Sequence, residues 1–302
     1  MNSIKERIQK LKKEKNAVIL AHSYQNLEID EVADFVGDSL YLCQRAKETN
    51  AGIIVFAGVY FMAQTAKIIS PDKKVLLPNM KAGCLMADMI DLPKITDFKT
   101  KHPNLPVVCY INSTAEVKSE CDICCTSSNV LKILRSLDKK EILFVPDANL
   151  GKWAESQLDG IKITTFDGNC PVHNNVPVDS VMNARKKYPN AKILIHPECK
   201  PEVSVLGDYV GSTSGIINYV KESPDNQFVI VTEKGVADRL KRDYPNKEFI
   251  LISDNMICES MKLTTLEEIL YSLENEVNEI TLDEEVRTRS LGCIERMLKV
   301  SK

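Results

Sequence analysis

No run of about eighteen or more apolar residues occurs in the chain, so no segment reads as a membrane-spanning helix. Positive charge is not in excess either: 39 Lys and Arg stand against 42 Asp and Glu, a net charge of −3. That balance gives no reason to expect the basic face that nucleic acid or an anionic membrane would select. No Gly/Ser-rich linker and no low-complexity segment divides the sequence. The N-terminal "MNSIKERIQKLKKEKN" lacks the apolar centre of a secretory leader and reads as a polar amphipathic helix. A cytoplasmic protein with no nucleic-acid or membrane partner is the expectation.

Cysteine, by contrast, is abundant, with ten in 302 residues. A disulfide framework belongs to small secreted domains, and nothing in this chain suggests one. The thiols are therefore core residues or metal ligands. "ECDICC" gathers Cys121, Cys124 and Cys125, but no second cysteine pair completes a structural zinc pattern. Cys43, Cys109 and Cys293 sit among apolar neighbours and read as core. Cys199 adjoins Glu198 and is expected near a site, open to oxidation.

Length alone suggests about two domains, but the order of elements points to three. β-Branched apolar runs alternate with helix-like stretches, the mark of an α/β fold with parallel strands. Strands are expected at 17–21, 53–57 and 75–77, separated by "SLYLCQRAKETN" and "VYFMAQTAKII". The series restarts with "PVVCYIN", "EILFVPD" and "GIKITTFD", and again with "AKILIHPE", "QFVIVTE" and "EFILIS". Each cycle reads strand–helix–strand–helix–strand.

The cycles keep register. His22, Tyr110 and His196 end the first strand of each, 88 and 86 residues apart. Tyr24, Asn112 and Glu198 follow at the same offsets, as do Ser39, Ser127 and Thr213. After the third strand of each cycle comes an isolated cysteine, Cys84, Cys170 and Cys258, at offsets of 86 and 88. The fold expected is three similar α/β/α lobes with parallel sheets around a pseudo-three-fold axis. Their bounds fall at 1–86, 87–172 and 173–258, with 259–302 packing on the first. Parallel sheets bind ligands beyond the carboxyl ends of their strands, so the three tips are expected to share one site.

Three dispersed thiolates are too few to close a tetrahedral zinc site. On an iron–sulfur cluster, which usually takes four, they would leave one iron open to act as a Lewis acid. Ser39, Ser127 and Thr213 admit two readings: each caps the helix after it, or three helix N-termini face a small polyanion. His22 and His196 are candidates to move protons or hold a carboxylate. Tyr24 and Glu198, at matching positions in different lobes, form a candidate acid–base pair across the cavity.

Together "LAHSYQ", "FVGDSL", "VVCYINST", "CTSSN", "FVPDANLG", "GNCPVH", "IHPEC" and "DYVGST" resemble the quinolinate synthase family over nearly the whole chain. The resemblance implies an enzyme of NAD biosynthesis that condenses iminoaspartate with dihydroxyacetone phosphate, releasing phosphate and two waters. It implies a 4Fe-4S cluster on Cys84, Cys170 and Cys258. It assigns His22, Ser39, Tyr110, Asn112, Ser127, His196, Glu198 and Thr213 to substrate binding. Tyr24, Glu198, His22 and His196 are the catalytic candidates, with Tyr24 and Glu198 leading in proton transfer. A contact with the enzyme that makes iminoaspartate is left open. The sequence differs from family members that carry a CxxCxxC run near the C-terminus, since only Cys293 is found in that region. Two rivals remain on the residues alone: a cluster-dependent hydro-lyase of another dicarboxylate, and a non-catalytic α/β binding protein.

Overall fold

Runs of Val, Ile and Leu bounded by polar turns form strands covered on both faces, which is the condition for an all-parallel sheet. The structure, a computed structural model, is described for residues 3–301, so Met1, Asn2 and Lys302 lie outside it. The first sheet holds β1 (Ala17–His22), β2 (Phe35–Gly37), β3 (Ile53–Ala57) and β4 (Lys74–Leu76). A second holds β5 (Val107–Tyr110), β6 (Ile123–Cys125), β7 (Glu141–Val145) and β8 (Lys162–Thr165). The third holds β9 (Lys192–Ile195), β10 (Tyr209–Val210), β11 (Gln227–Val231) and β12 (Glu248–Leu251). Strand order is the same in each: β2-β1-β3-β4, β6-β5-β7-β8 and β10-β9-β11-β12. Every pairing is parallel. Helices flank all three sheets, giving three α/β/α lobes.

Each sheet has one strand more than the apolar pattern shows. The extra strands, β2, β6 and β10, are edges of two or three residues, too short to display a period. A repeated aspartate holds them. The carboxylates of Asp34, Asp122 and Asp208 accept the backbone N–H of Ile19, Val107 and Ile193 at 2.8, 2.7 and 2.8 Å. Their own N–H groups donate back to the same residues' carbonyls at 2.9, 3.0 and 2.9 Å. These aspartates are again 88 and 86 residues apart. Each two-way contact fixes the register of an edge strand that has little ladder of its own.

The first two lobes share a continuous apolar core, while the third buries separate clusters on its two faces. The first lobe's outer face has its own cluster, covered by helices Ile4–Glu14 and Leu266–Asn275. Ser3 and Glu6 close a capping box on the former. Helix Glu284–Ser301 lies along β6 and helix Ala115–Ser119, burying Cys293, Ile294, Met297 and Leu298. The third lobe meets the first through polar contacts, among them Arg239 with Asp30 and Ser214 with Asp38. Among the described residues, no helix is long and apolar enough to cross a membrane.

Val107 is fully buried, so removing its acceptor leaves an N–H with no partner. Asp122→Ala is expected to cost about 1–3 kcal/mol in denaturant unfolding, while Asp122→Asn, which keeps an acceptor oxygen, retains most of it. A loss below about 0.5 kcal/mol for the alanine variant, the range of an ordinary surface change, would refute the role given to this aspartate.

Candidate active site and metal centre

Parallel strands deliver all their carboxyl ends to one side of a sheet, and here the three sheets turn those sides toward one cavity of about 320 Å³. All twelve residues singled out in the sequence line it: His22, Tyr24, Ser39, Cys84, Tyr110, Asn112, Ser127, Cys170, His196, Glu198, Thr213 and Cys258. Apolar side chains, among them Val59, Phe61, Met62 and Ile257, fill the wall between them. Asn112 brings a buried side-chain oxygen that has no hydrogen-bond partner. Such an orphan is costly unless a ligand or water meets it.

His22 and His196 are set by the same local device. The backbone N–H two residues on donates to Nδ1, from Tyr24 at 3.1 Å and from Glu198 at 3.3 Å. With Nδ1 accepting, a neutral ring carries its proton on Nε2. Burial pushes the His22 pKa down to about 3, and the charges of Arg239 and Lys262 push the same way. Burial also takes His196 to about 3, against the pull of Glu198. Both rings are therefore neutral donors at pH 7.

Glu198 is 4% exposed. Burial opposes its ionisation, but charge on His196 and His173 and hydrogen bonds from His173 and Tyr110 outweigh burial and hold its pKa down at about 2. Because His196 is itself neutral at pH 7, the direct donors are what keep the carboxylate charged. Tyr110 donates its hydroxyl at 2.6 Å, and His173 Nδ1 stands 2.8 Å from the other oxygen. The tyrosine in direct contact with Glu198 is thus Tyr110. The Tyr24 hydroxyl is engaged by Thr213 at 3.1 Å and Thr232 at 3.2 Å. Burial, then the charge of Glu198, raises the Tyr24 pKa well above its ordinary value, which keeps it protonated.

His173 is a cavity residue that the sequence reading passed over. It sits in the short helix Pro171–Asn174, three residues after Cys170, so both face the same way. Its Nε2 is 2.9 Å from the Thr232 hydroxyl, and its ring stacks on His196 at 4.6 Å. The signal was "CPVH", a cysteine and histidine at helical spacing.

Of the two readings of the hydroxyl residues, capping is the one the structure excludes. Asp38 and Ser212 cap the helices Ser39–Glu48 and Thr213–Glu222, accepting from Tyr41 and Gly215. In the second lobe Asn129 holds that position before helix Val130–Ser136, and its side chain accepts from Thr126 N–H. Ser39, Ser127 and Thr213 stand beside these caps, at helix starts that face the cavity.

Ten free cysteines divide sharply. Cys84, Cys170 and Cys258 are partly accessible and open on the cavity, while the other seven are buried. Cys43, Cys109, Cys121, Cys124, Cys125 and Cys293 belong to the core of the first two lobes, with Cys124 and Cys293 sulfurs 3.2 Å apart. Cys199, expected to be open to oxidation, is fully buried in the third lobe, because the helix Pro201–Ser204 and β11 close over it. Burial raises the cavity thiols, Cys84 to about 12 and Cys258 to about 11, with Cys170 also raised. The backbone N–H of Ala87, Met261 and His173, each three residues on, works in the opposite direction.

These donors can hold metal. Cys170, His173 and Glu198 present ligand atoms within 4.8 Å of one another, the one such group among the described residues. The three cavity cysteines do not form so tight a set. A single ion with sulfur at about 2.3 Å needs its ligands closer together than that, so this trio as placed does not suit one.

The chain is similar to known proteins over nearly its whole length. A family model described as "Quinolinate synthetase A protein" matches residues 6–299. The quinolinate synthase of Alkaliphilus metalliredigens is 52% identical over 295 residues, 98% of this chain and 97% of that protein. One from Dehalococcoides mccartyi is 48% identical, covering 99% of this chain and 98% of its own length. That of Clostridioides difficile is 47% identical over 98% and 97%.

The two depressed histidines make stability acid-sensitive. Their folded pKa values of about 3 lie below the ordinary 6.5, so the unfolded chain binds more protons between those limits. The histidines' contribution to stability is complete above pH 6.5 and falls below it, by about 1.4 kcal/mol per pH unit for each histidine. Glu198 adds a loss of the same sign below its ordinary value of 4.5. The urea midpoint is expected to be level from pH 8 to 7 and to drop from 6 to 5, less steeply in His22→Gln. A midpoint unchanged down to pH 5 would contradict neutral buried rings.

Proposed function

The chain belongs to the quinolinate synthetase A protein family, enzymes of NAD biosynthesis, and from that premise we propose that it condenses iminoaspartate with dihydroxyacetone phosphate in the central cavity. The products are quinolinate, phosphate and two waters. Cys84, Cys170 and Cys258 would hold a 4Fe-4S cluster. With three protein ligands for four irons, such a group supplies one iron with a free coordination position, a Lewis acid for a hydroxyl or carboxylate. The observation that carries this reading is the division of the cysteines: the three that recur in register are the three that reach the cavity.

The protein's own groups suit two anionic reactants. His22 and His196 offer neutral N–H donors to carboxylates without placing a full positive charge in the cavity. Ser39, Ser127 and Thr213 offer hydroxyls at helix starts, where backbone N–H groups and partial positive charge favour phosphate or carboxylate. The unpaired Asn112 oxygen is free to accept from an imine or hydroxyl. Glu198, charged, and Tyr24, protonated, are the leading proton-transfer groups. His173 and Tyr110 orient Glu198 and sustain its charge. Apolar walls exclude water during ring closure.

A second reading has one observation in its favour: the Cys170, His173 and Glu198 group would suit a single zinc or iron ion. Acid-labile sulfide separates the two. Anaerobic reconstitution with iron and sulfide is expected to give about four irons and four sulfides per chain, the content of one such cluster, and quinolinate from the two named substrates. Cys84→Ser, Cys170→Ser and Cys258→Ser are each expected to lose cluster and activity, whereas Cys121→Ser keeps both. A loaded chain that makes no quinolinate would overturn the function, and cluster loss in Cys121→Ser would overturn the ligand assignment.

A further inference from the structure

Each lobe fastens its cysteine loop in the same way. The first residue of the helix after the third strand donates its backbone N–H to the carbonyl two residues before the cysteine. The pairs are Tyr60 with Ala82, Ala148 with Gly168 and Lys234 with Met256, all at 2.7 Å. The approach is so close at Gly168 that a Cβ there would stand 2.6 Å from the Pro146 carbonyl oxygen. This backbone clamp is common to the three lobes.

Two lobes add a second clamp. Immediately before those helices stand Val59, Asp147 and Glu233, again 88 and 86 residues apart. Asp147 Oδ1 accepts from Leu150 N–H at 2.7 Å, capping its helix, while Oδ2 accepts from Cys170 N–H at 3.2 Å. Glu233 Oε2 accepts from Gly235 N–H at 2.6 Å, while Oε1 accepts from Cys258 N–H at 3.2 Å and faces Lys262 Nζ at 3.0 Å. Both side chains are 0% exposed. They differ by a methylene, yet each spans from a helix start to the cysteine of its own lobe. Val59 has no acceptor, so Cys84 has the backbone clamp without a carboxylate.

Helix capping alone does not explain a buried carboxylate. Serine, threonine or asparagine caps as well without burying an ionisable group where water is excluded. What the carboxylate adds is a second acceptor oxygen, able to hold the cysteine N–H while the first holds the helix. We propose that Asp147 and Glu233 are positioning residues that fix the backbone, and through it the thiol direction, of Cys170 and Cys258 as iron ligands. This rests on the reading of Cys84, Cys170 and Cys258 as cluster ligands. The amide of asparagine or glutamine can accept through one atom only and must turn its NH₂ toward the other N–H, so the isosteric change breaks one clamp and keeps volume.

Full-length Asp147→Asn and Glu233→Gln, with Asp147→Ser as a variant that keeps the cap and is too short to reach Cys170, provide the test. Asp91→Asn, which alters the cap of helix Leu92–Lys101 and whose carboxylate bonds Lys94 rather than a cysteine, is the control. After anaerobic reconstitution, the three variants are expected to release iron to a chelator about 10–100-fold faster than wild type and the control, the usual cost of losing an outer-shell contact. In the metal-free chain, iodoacetamide labelling read by peptide mass spectrometry is expected to speed up at Cys170 alone in the Asp147 variants and at Cys258 alone in Glu233→Gln. Wild-type iron retention, or labelling that rises equally at all three cysteines, would overturn the proposal, since general loosening has no lobe preference. A wild-type chain that takes up no iron and sulfide would instead overturn the cluster reading on which it stands.

Discussion

Because every strand of each sheet runs parallel to its neighbours, the carboxyl ends and the helix starts that follow all emerge on one side. A lobe built that way has a single reactive rim, and here three rims meet around one cavity. Strand tips supply His22, Tyr110 and His196, edge-strand ends supply Ser39, Ser127 and Thr213, and the loops after the fourth strands supply three cysteines. Moving any sheet out of register by one residue would turn its tip away from the cavity. The aspartates that pin the short edge strands therefore serve the site as well as the fold.

Charge in the cavity is arranged by burial and then corrected by contact. Desolvation strips the proton from two imidazoles and holds it on two tyrosine hydroxyls and on the thiols. Glu198 escapes that trend because Tyr110 and His173 donate directly to it. Glu198 is thus a buried anion beside neutral imidazoles at His22 and His196 and protonated tyrosine hydroxyls, and a bound carboxylate or phosphate meets hydrogen-bond donors and helix starts. The raised thiols would have to lose their protons to hold metal, so loading releases protons and is favoured as pH rises.

Much of this could be read before any coordinates, because residues with the same task recur at 88 and 86. The main strands, the parallel lobes and the twelve cavity residues follow from that cadence and from the apolar runs. What escaped has physical reasons. β2, β6 and β10 are two or three residues long and show no period, although Asp34, Asp122 and Asp208 mark them in register. His173 is missed because a lone histidine in a four-residue helix has no counterpart in the other lobes. Asp147 and Glu233 are hidden because the first lobe has Val59 in their place and the two acids differ in length. The cap role of Ser39, Ser127 and Thr213 fails by a shift of one or two residues, beyond what sequence resolves.

Convergence of Cys84, Cys170 and Cys258 on one polynuclear iron centre is the claim on which the chemistry stands. An anomalous-scattering map at the iron edge, from crystals of the anaerobically reconstituted chain, tests it most directly. The account predicts one compact iron peak in the cavity in contact with all three of those sulfurs. A peak confined to Cys170, His173 and Glu198, or iron bound at the Cys124 and Cys293 pair, would contradict it.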